Sequence, residues 1–207
     1  PTYESIDPVR FIGNYSTGKM GYALAKEFVR RGAKVVLISG PVSLKPPKEA
    51  EFHKVISAEE MYQQCTRHFS ECDIAIMCAA VADFTPKVML DSKVKRKNEN
   101  LTIELKPTPD IASKLGEMKK KDQILVGFAL ETDNEFENAW LKLKKKNLDF
   151  IVLNSLNDPG AGFGHDTNKI SIIDENNIIT KFELKTKKEI ASDIINEIAK
   201  YIELENN

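Results

Sequence analysis

GNYSTGKMGYALAKEFVRRGAKVVLIS, Gly13 to Ser39, reads as a glycine-rich turn, a helix and a strand in that order. Between Gly18 and Arg31 the apolar residues Met20, Leu24, Ala25, Phe28 and Val29 return at steps of three and four, the period of one helix face. Gly32 follows where a helix C-cap belongs. Lys34 to Ser39 (KVVLIS) is a short β-branched run stopped by Gly40-Pro41, which predicts a buried strand. A helix passing into a strand across a tight turn is the repeating unit of α/β folds.

The unit recurs. Ser57 with Glu60 predicts a capping box, and Met61, Cys65 and Phe69 form the inward stripe of a second helix. Ile74 to Ala80 (IAIMCAA) is apolar on both faces, as in a parallel sheet covered by helices. After an irregular stretch, Thr108-Pro109-Asp110 predicts a helix start with an N-cap and an N1 proline, and Ile124 to Ala129 a strand. Glu135 to Lys146 then predicts a helix with Phe136, Trp140 and Leu143 inward, followed by a strand from Asp149 to Asn154. Lys169 to Ile173 and Ile178 to Leu184, on either side of DENN, predict an antiparallel hairpin. Thr186 with Glu189 caps a last helix running to about Glu203. The order predicts a Rossmann-like three-layer α/β fold with a mainly parallel sheet and a late β-hairpin, as a single domain over residues 1–207. One strand is missing from the pattern. Pro1 to Pro8 (PTYESIDP) is turn-rich where a strand should feed the first helix, so that strand is expected in missing or disordered leading residues.

Composition narrows the function classes. An apolar content of 42% suffices for one sizeable core. Thirty Lys and Arg against 31 Asp and Glu leave a net charge of -1, so no global field attracts nucleic acid or anionic lipid, and any basic site is local. Cys65, Cys72 and Cys78 are an odd set without a CxxC pair, the first two seven apart on one helical face; they read as core thiols in a reducing cytoplasm. No run approaches the roughly 18 apolar residues of a membrane span and no signal peptide opens the chain, so a soluble, cytoplasmic protein without a membrane partner is expected. His53, His68 and His165 form no HExxH, and GxSxG is absent, which leaves zinc hydrolysis and triad chemistry little support; each histidine reads as a surface or packing residue. Basic patches interleaved with stacking aromatics are missing too, against a nucleic-acid partner.

Four segments can carry chemistry. GNYSTGKMG nearly spells the P-loop, but Met20 stands where Ser or Thr would face Mg²⁺, and the glycine spacing is not GxGxxG. Placed just before a helix, it suits a phosphate through free N–H groups and the positive end of the dipole; a glycine-rich helix start that binds nothing is the alternative. Ala79 to Asp83 (AAVAD) ends a buried strand, where α/β sheets place ligands, and Asp83 either contacts a ligand or Mg²⁺ or is simply solvated. Lys93 to Lys97 (KVKRK) puts four cations in five residues of a long irregular connection, either a solvated run or a loop that closes over a triphosphate. Lys142 and Lys146 share one helix face, while Lys144 and Lys145 are expected to face water.

Taken in order, IDPVRFIGNYSTGKMGYALA (Ile6 to Ala25), GAKVVLISGPVSL (Gly32 to Leu44), AAVADF (Ala79 to Phe84), KVKRK, TPDI (Thr108 to Ile111), VGFALET (Val126 to Thr132) and KKNLDFIVLN (Lys145 to Asn154) resemble phosphopantothenate–cysteine ligase over almost the whole chain. In many bacteria that enzyme is the C-terminal half of a bifunctional coenzyme A biosynthesis protein. The resemblance implies a homodimer that uses CTP and Mg²⁺ to join 4′-phosphopantothenate to L-cysteine. The substrate carboxylate attacks the α-phosphorus to give an acyl-cytidylate and pyrophosphate; the cysteine amine then expels CMP. It implies that Asn14 holds the acyl-cytidylate and Lys93 helps form it. Ser16, Thr17, Gly18 and Lys19 would cradle phosphates, and Met77, Cys78, Ala79 and Asp83 would contact the nucleotide, Asp83 also being the candidate metal ligand. Thr108, Pro109, Asp110 and Ile111 match a further nucleotide segment, Phe128 the position beside base or ribose, and Lys142 and Lys146 two more contacts. Thr108 replaces the family's usual Asn, and Arg96 the last Lys of its KxKK-like motif; altered contacts are expected at both. Two rivals remain at this point: an NAD(P)-binding oxidoreductase, suggested by fold pattern alone and weakened by the lack of GxGxxG, and a non-enzymatic nucleotide- or RNA-binding module built on the lysine clusters.

Overall fold

The computed structural model describes residues 1–95, 100–155 and 164–205. A short antiparallel pair, β1 (Glu4–Ser5) and β2 (Phe11–Ile12), leads into helix α1 (Lys19–Arg30). Strands β3 (Val36–Ser39) and β4 (Glu51–Lys54) pair in parallel, and α2 (Ala58–Phe69) returns to β5 (Ile74–Met77). An antiparallel arm, β6 (Phe84–Pro86) with β7 (Leu105–Pro107), precedes α3 (Ile111–Met118), β8 (Ile124–Glu131), α4 (Glu135–Lys145) and β9 (Phe150–Ser155). The chain closes with β10 (Thr167–Asn168), β11 (Ile170–Asp174), β12 (Ile179–Lys181), β13 (Lys185–Thr186) and α5 (Lys187–Glu205).

The main sheet has the order β12-β11-β9-β8-β5. β5, β8 and β9 are parallel, and β11 and β12 add the antiparallel hairpin at one edge. Side chains alternate across β8: Ile124 and Val126 join α1 and α5 in one core, Leu125 and Ala129 join α2, α3 and α4 in the other. Those two cores make the three layers. Leu125, Val126, Ile151 and Val152 are at most 1% exposed, so each contributes on the order of 1.5–3 kcal/mol by burial. This is the expected Rossmann-like α/β class with its late hairpin. The hairpin turn is held by Asp174 Oδ1, which accepts from the N–H groups of Asn176 at 2.9 Å and Ile178 at 2.8 Å, with Asn177 left-handed at φ 63°.

Several local expectations shift. The N-cap of α3 is Asp110, which accepts from Ser113 N–H at 3.1 Å; Thr108 instead donates its hydroxyl to the Ala82 carbonyl at 2.6 Å. A carboxylate two residues later captures the cap because Thr108 is drawn into the β6–β7 arm. Phe136 is not inward: it is 37% exposed beneath the Lys181 ammonium, and Ala139 takes the buried position. Cys72 lies beyond the end of α2, its thiol donating to Phe69 O, so it does not share a helix face with Cys65. Lys144 covers the Trp140 ring at 4.5 Å and donates to Glu175 O rather than facing water alone. Among the described residues the strands ahead of α1, β1 and β2, pair with each other and not with the parallel sheet. Pro1 to Tyr3 pass between the ends of the two parallel units, Thr2 N–H donating to Ala80 O at 3.2 Å and Tyr3 N–H to Ile56 O at 2.8 Å.

Candidate functional site

A cleft of about 150 Å³ opens where the glycine turn meets the C-terminal ends of the parallel strands. Ser16, Thr17, Gly18 and Lys19 form one wall, Cys78 to Ala80 beyond β5 another, and Phe128 to Leu130 of β8 the floor. Gly18 makes the turn possible: it caps α1 at φ 74°, where L side chains are strained, and a Cβ there would lie 2.9 Å from Val42 Cγ1. No side chain caps α1, so its first N–H groups remain available to a ligand. Asn14 ties the turn to the sheet. Its Nδ2 donates to Ala80 O at 2.8 Å and its Oδ1 accepts from Ser16 N–H at 3.0 Å, leaving the second amide hydrogen unused by these contacts.

The cleft is cationic. Lys19 pairs with Asp166 at 2.7 Å and donates to Gly164 O at 3.1 Å; its hydrogen bond to Asp166, then its charge, holds that carboxyl below the usual range. Lys187, 8% exposed at the start of α5, donates to His165 O and, at 3.3 Å, to Thr167 O. Burial, then the nearby Lys19 charge, pushes its pKa down. The uncapped α1 N-terminus and two ammonium groups at one mouth, Lys19 with Asp166 as counterion, favour an anion. Burial pushes the Cys78 thiol up to about 12, so it stays protonated and is no nucleophile at neutral pH. Asn168, 2% exposed, donates through Nδ2 to Asn154 Oδ1 at 2.9 Å; its own Oδ1 is buried without a hydrogen-bond partner.

Of the residues expected at a site, the turn residues Ser16 to Lys19, Cys78, Ala79 and Phe128 line the cleft, with Asn14 one hydrogen bond behind them. Met77 packs into the core cluster beneath, and Ile111 is buried. Asp83 is exposed, its carbonyl accepting from Thr108 N–H at 3.0 Å. Lys142 pairs with Glu131, and Lys146 with Asp110 at 3.0 Å; neither lines the cleft, nor do Thr108 and Pro109. Lys93 is exposed and outside the cleft, but its segment is tethered to the chain that leads to Asn14. Asp7 accepts from Val94 N–H at 3.2 Å and pairs with Arg10 at 2.5 Å, while Arg10 Nη2 donates to Val94 O at 3.0 Å. Arg96 and Lys97 lie outside the described residues. Sequence reasoning missed Lys187, Asn154 and Asn168. For Lys187 a signal existed: it directly follows Thr186 of the capping box, where Thr186 N–H donates to Glu189 Oε2 at 2.9 Å, so a cation opens that helix.

The family model of the DNA/pantothenate metabolism flavoprotein C-terminal domain matches residues 1–202. The chain belongs to this family. It is 51% identical over 200 residues to the coenzyme A biosynthesis bifunctional protein CoaBC of Bacillus subtilis (strain 168), a match covering 96% of this chain and 49% of that protein. A cysteine/cysteine sulfinic acid decarboxylase of an unknown prokaryotic organism is 60% identical over 199 residues, covering 96% of this chain and 55% of that protein. The chain spans about half the length of these curated relatives. The crystal structure of the C-terminal domain of CoaBC is similar at a TM-score of 0.82 and 40% identity, over 100% of this chain and 93% of that one. The family resemblance read from the seven sequence segments is thereby borne out. As a member of this family, the chain carries its cleft on the same architecture as the CoaBC C-terminal domain.

Proposed function

We propose that this domain ligates 4′-phosphopantothenate to L-cysteine at the expense of CTP, through an acyl-cytidylate. The observation that carries the proposal is the convergence of the uncapped α1 N-terminus, Lys19 and Lys187 on one cleft in a domain of the coenzyme A biosynthesis family. Attack of a carboxylate on a nucleotide phosphate joins two anions, so the chain must supply fixed cations and N–H donors more than a base. Lys19, Lys187 and the first N–H groups of α1 do that; the small Ala79 and Ala80 leave room for a planar base against the main chain. Asn14 holds the turn in register and directs its second amide hydrogen to the oxygens on which charge grows when the amine attacks. In this reading Lys93, whose neighbour Val94 is bound to Asp7 and Arg10, helps form the intermediate. Asp83, an exposed carboxylate beyond the end of β5, would hold an Mg²⁺ that arrives with the nucleotide. That ion would supply charge neutralisation on the phosphates. The active unit is a homodimer in this reading.

The decarboxylase named for one relative belongs to a longer protein, of which the match covers 55%. Pyrophosphate release with phosphopantothenate, cysteine, CTP and Mg²⁺ tests the proposal, with ATP in parallel to establish base preference. Release no faster than without enzyme refutes it. Asn14→Asp is expected to accumulate acyl-cytidylate without amide product; equal loss of both species refutes the role of Asn14.

A further inference from the structure

We propose that Glu51, His53 and His68 form a binding site for a divalent transition metal of the zinc type, separate from the cleft. Glu51 and His53 are two apart on β4, so they project from the same face of a strand whose other edge is paired to β3. Helix α2 returns across that face and delivers His68 from its last turn. One donor atom of each residue lies within 4.8 Å of the other two. His53 Nε2 is 2.8 Å from Glu51 Oε1, and the two imidazole rings are 4.5 Å apart between centroids, tilted by 44°.

The hydrogen bond between His53 and Glu51 explains part of this geometry but not His68. Its Nε2 is buried and has no hydrogen-bond partner, an arrangement that leaves a polar atom desolvated without return. A cation between the rings would use that lone pair. Gln64, one helical turn earlier on the same face, also has a buried Oε1 without a partner, so a second uncompensated donor atom comes from the same face. The partial negative charge at the C-terminal end of α2 adds to the attraction for a cation.

The donor chemistry selects the metal. Two imidazoles and one carboxylate suit Zn²⁺ and its neighbours rather than Ca²⁺ or Mg²⁺, which take oxygen. Around a tetrahedral ion with bonds of about 2.1 Å, donor atoms are about 3.4 Å apart, so separations that are all within 4.8 Å must close to that value by rotation of side chains. Glu51 is exposed and His53 only part-buried, which permits that movement. The bound ion would pin the end of α2 to β4, with the fourth position filled by water or Gln64.

The test uses the whole chain after dialysis against a chelator. Calorimetric titration with ZnCl₂ is expected to show one site, a zinc-dependent rise in Tm, and visible Co²⁺ bands of nitrogen and oxygen donors without a thiolate charge-transfer band. Glu51→Gln, at an exposed position, should weaken binding about tenfold or more, and His68→Gln about a hundredfold. The proposal is overturned by absence of zinc binding in the wild type, by a thiolate band that assigns the metal to a cysteine, or by unchanged affinity in both variants.

Discussion

Gly18→Ala tests whether the glycine turn at the head of α1 depends on a left-handed residue. Gly18 has φ 74° and ψ -1°, and an L residue held there costs about 1–2 kcal/mol. The new methyl would also lie 2.9 Å from Val42 Cγ1, a side-chain end that can rotate away at a cost of about 1 kcal/mol. The sum, about 2–3 kcal/mol, corresponds to a fall in Tm of about 4–12 °C for a chain of this size. Calorimetric melting of four proteins separates the two parts: wild type, Gly18→Ala, Val42→Ala and the double variant. Coupling of about 1 kcal/mol between positions 18 and 42 is expected, the remainder being backbone strain. Gly18→Asn, which tolerates the left-handed region better, should recover part of the loss. The alanine variant should also raise KM for the anionic nucleotide, because the first N–H groups of α1 move with the turn. A Gly18→Ala protein that melts within about 1 °C of the wild type and keeps its KM would refute the description of this turn.

Three further variants test the charges. Lys187→Met should raise KM for the nucleotide about tenfold by removing a charge-assisted donor, read from initial rates. Burial lowers the Lys187 pKa, so the folded chain binds fewer protons than the unfolded one as pH approaches 10.5, and the wild type should gain stability relative to the variant on the alkaline side in urea titrations. Glu27, buried between Arg30 and Arg31, has its carboxyl held down to about 2, first by hydrogen bonding to Arg30. Its stabilisation is complete above the unfolded value of about 4.3 and disappears as pH falls towards 2, so Glu27→Gln should flatten that part of the acid denaturation curve. Arg10→Ala should increase hydrogen exchange at Val94 and slow intermediate formation more than it raises KM; unchanged exchange would sever the Lys93 segment from the N-terminal clamp.

Local periodicity carried far in this chain because most elements announce themselves within a few residues. The stripe Met20, Leu24, Ala25, Phe28 fixed α1, and the apolar runs around Ile74, Ile124 and Ile151 fixed β5, β8 and β9, since a strand covered on both faces needs no alternation. Short pairings were harder. β4 was not foreseen, because EFHK is mostly exposed and lacks an apolar pattern, nor was the β6–β7 arm, whose partners are separated by 18 residues between Pro86 and Leu105. At the cleft, the turn residues were legible because Gly, Ser and Thr ahead of a helix have few other uses. Lys187, Asn154 and Asn168 were not, since they arrive from distant parts of the chain.

The sequence by itself determined the alternating helices and strands, the glycine turn at the head of α1 and the family to which the chain belongs. These depend on residue type and spacing over one or two turns, interactions that act locally. Only the tertiary structure decided which cations meet. Lys142 and Lys146 are drawn to Glu131 and Asp110, whereas Lys187 comes to lie beside Lys19 because α1 and α5 pack side by side on one face of the sheet. It also set two histidines, 15 positions apart, against one carboxylate. Charge and metal-binding chemistry fall off over a few ångströms, and separation along the chain does not give that distance.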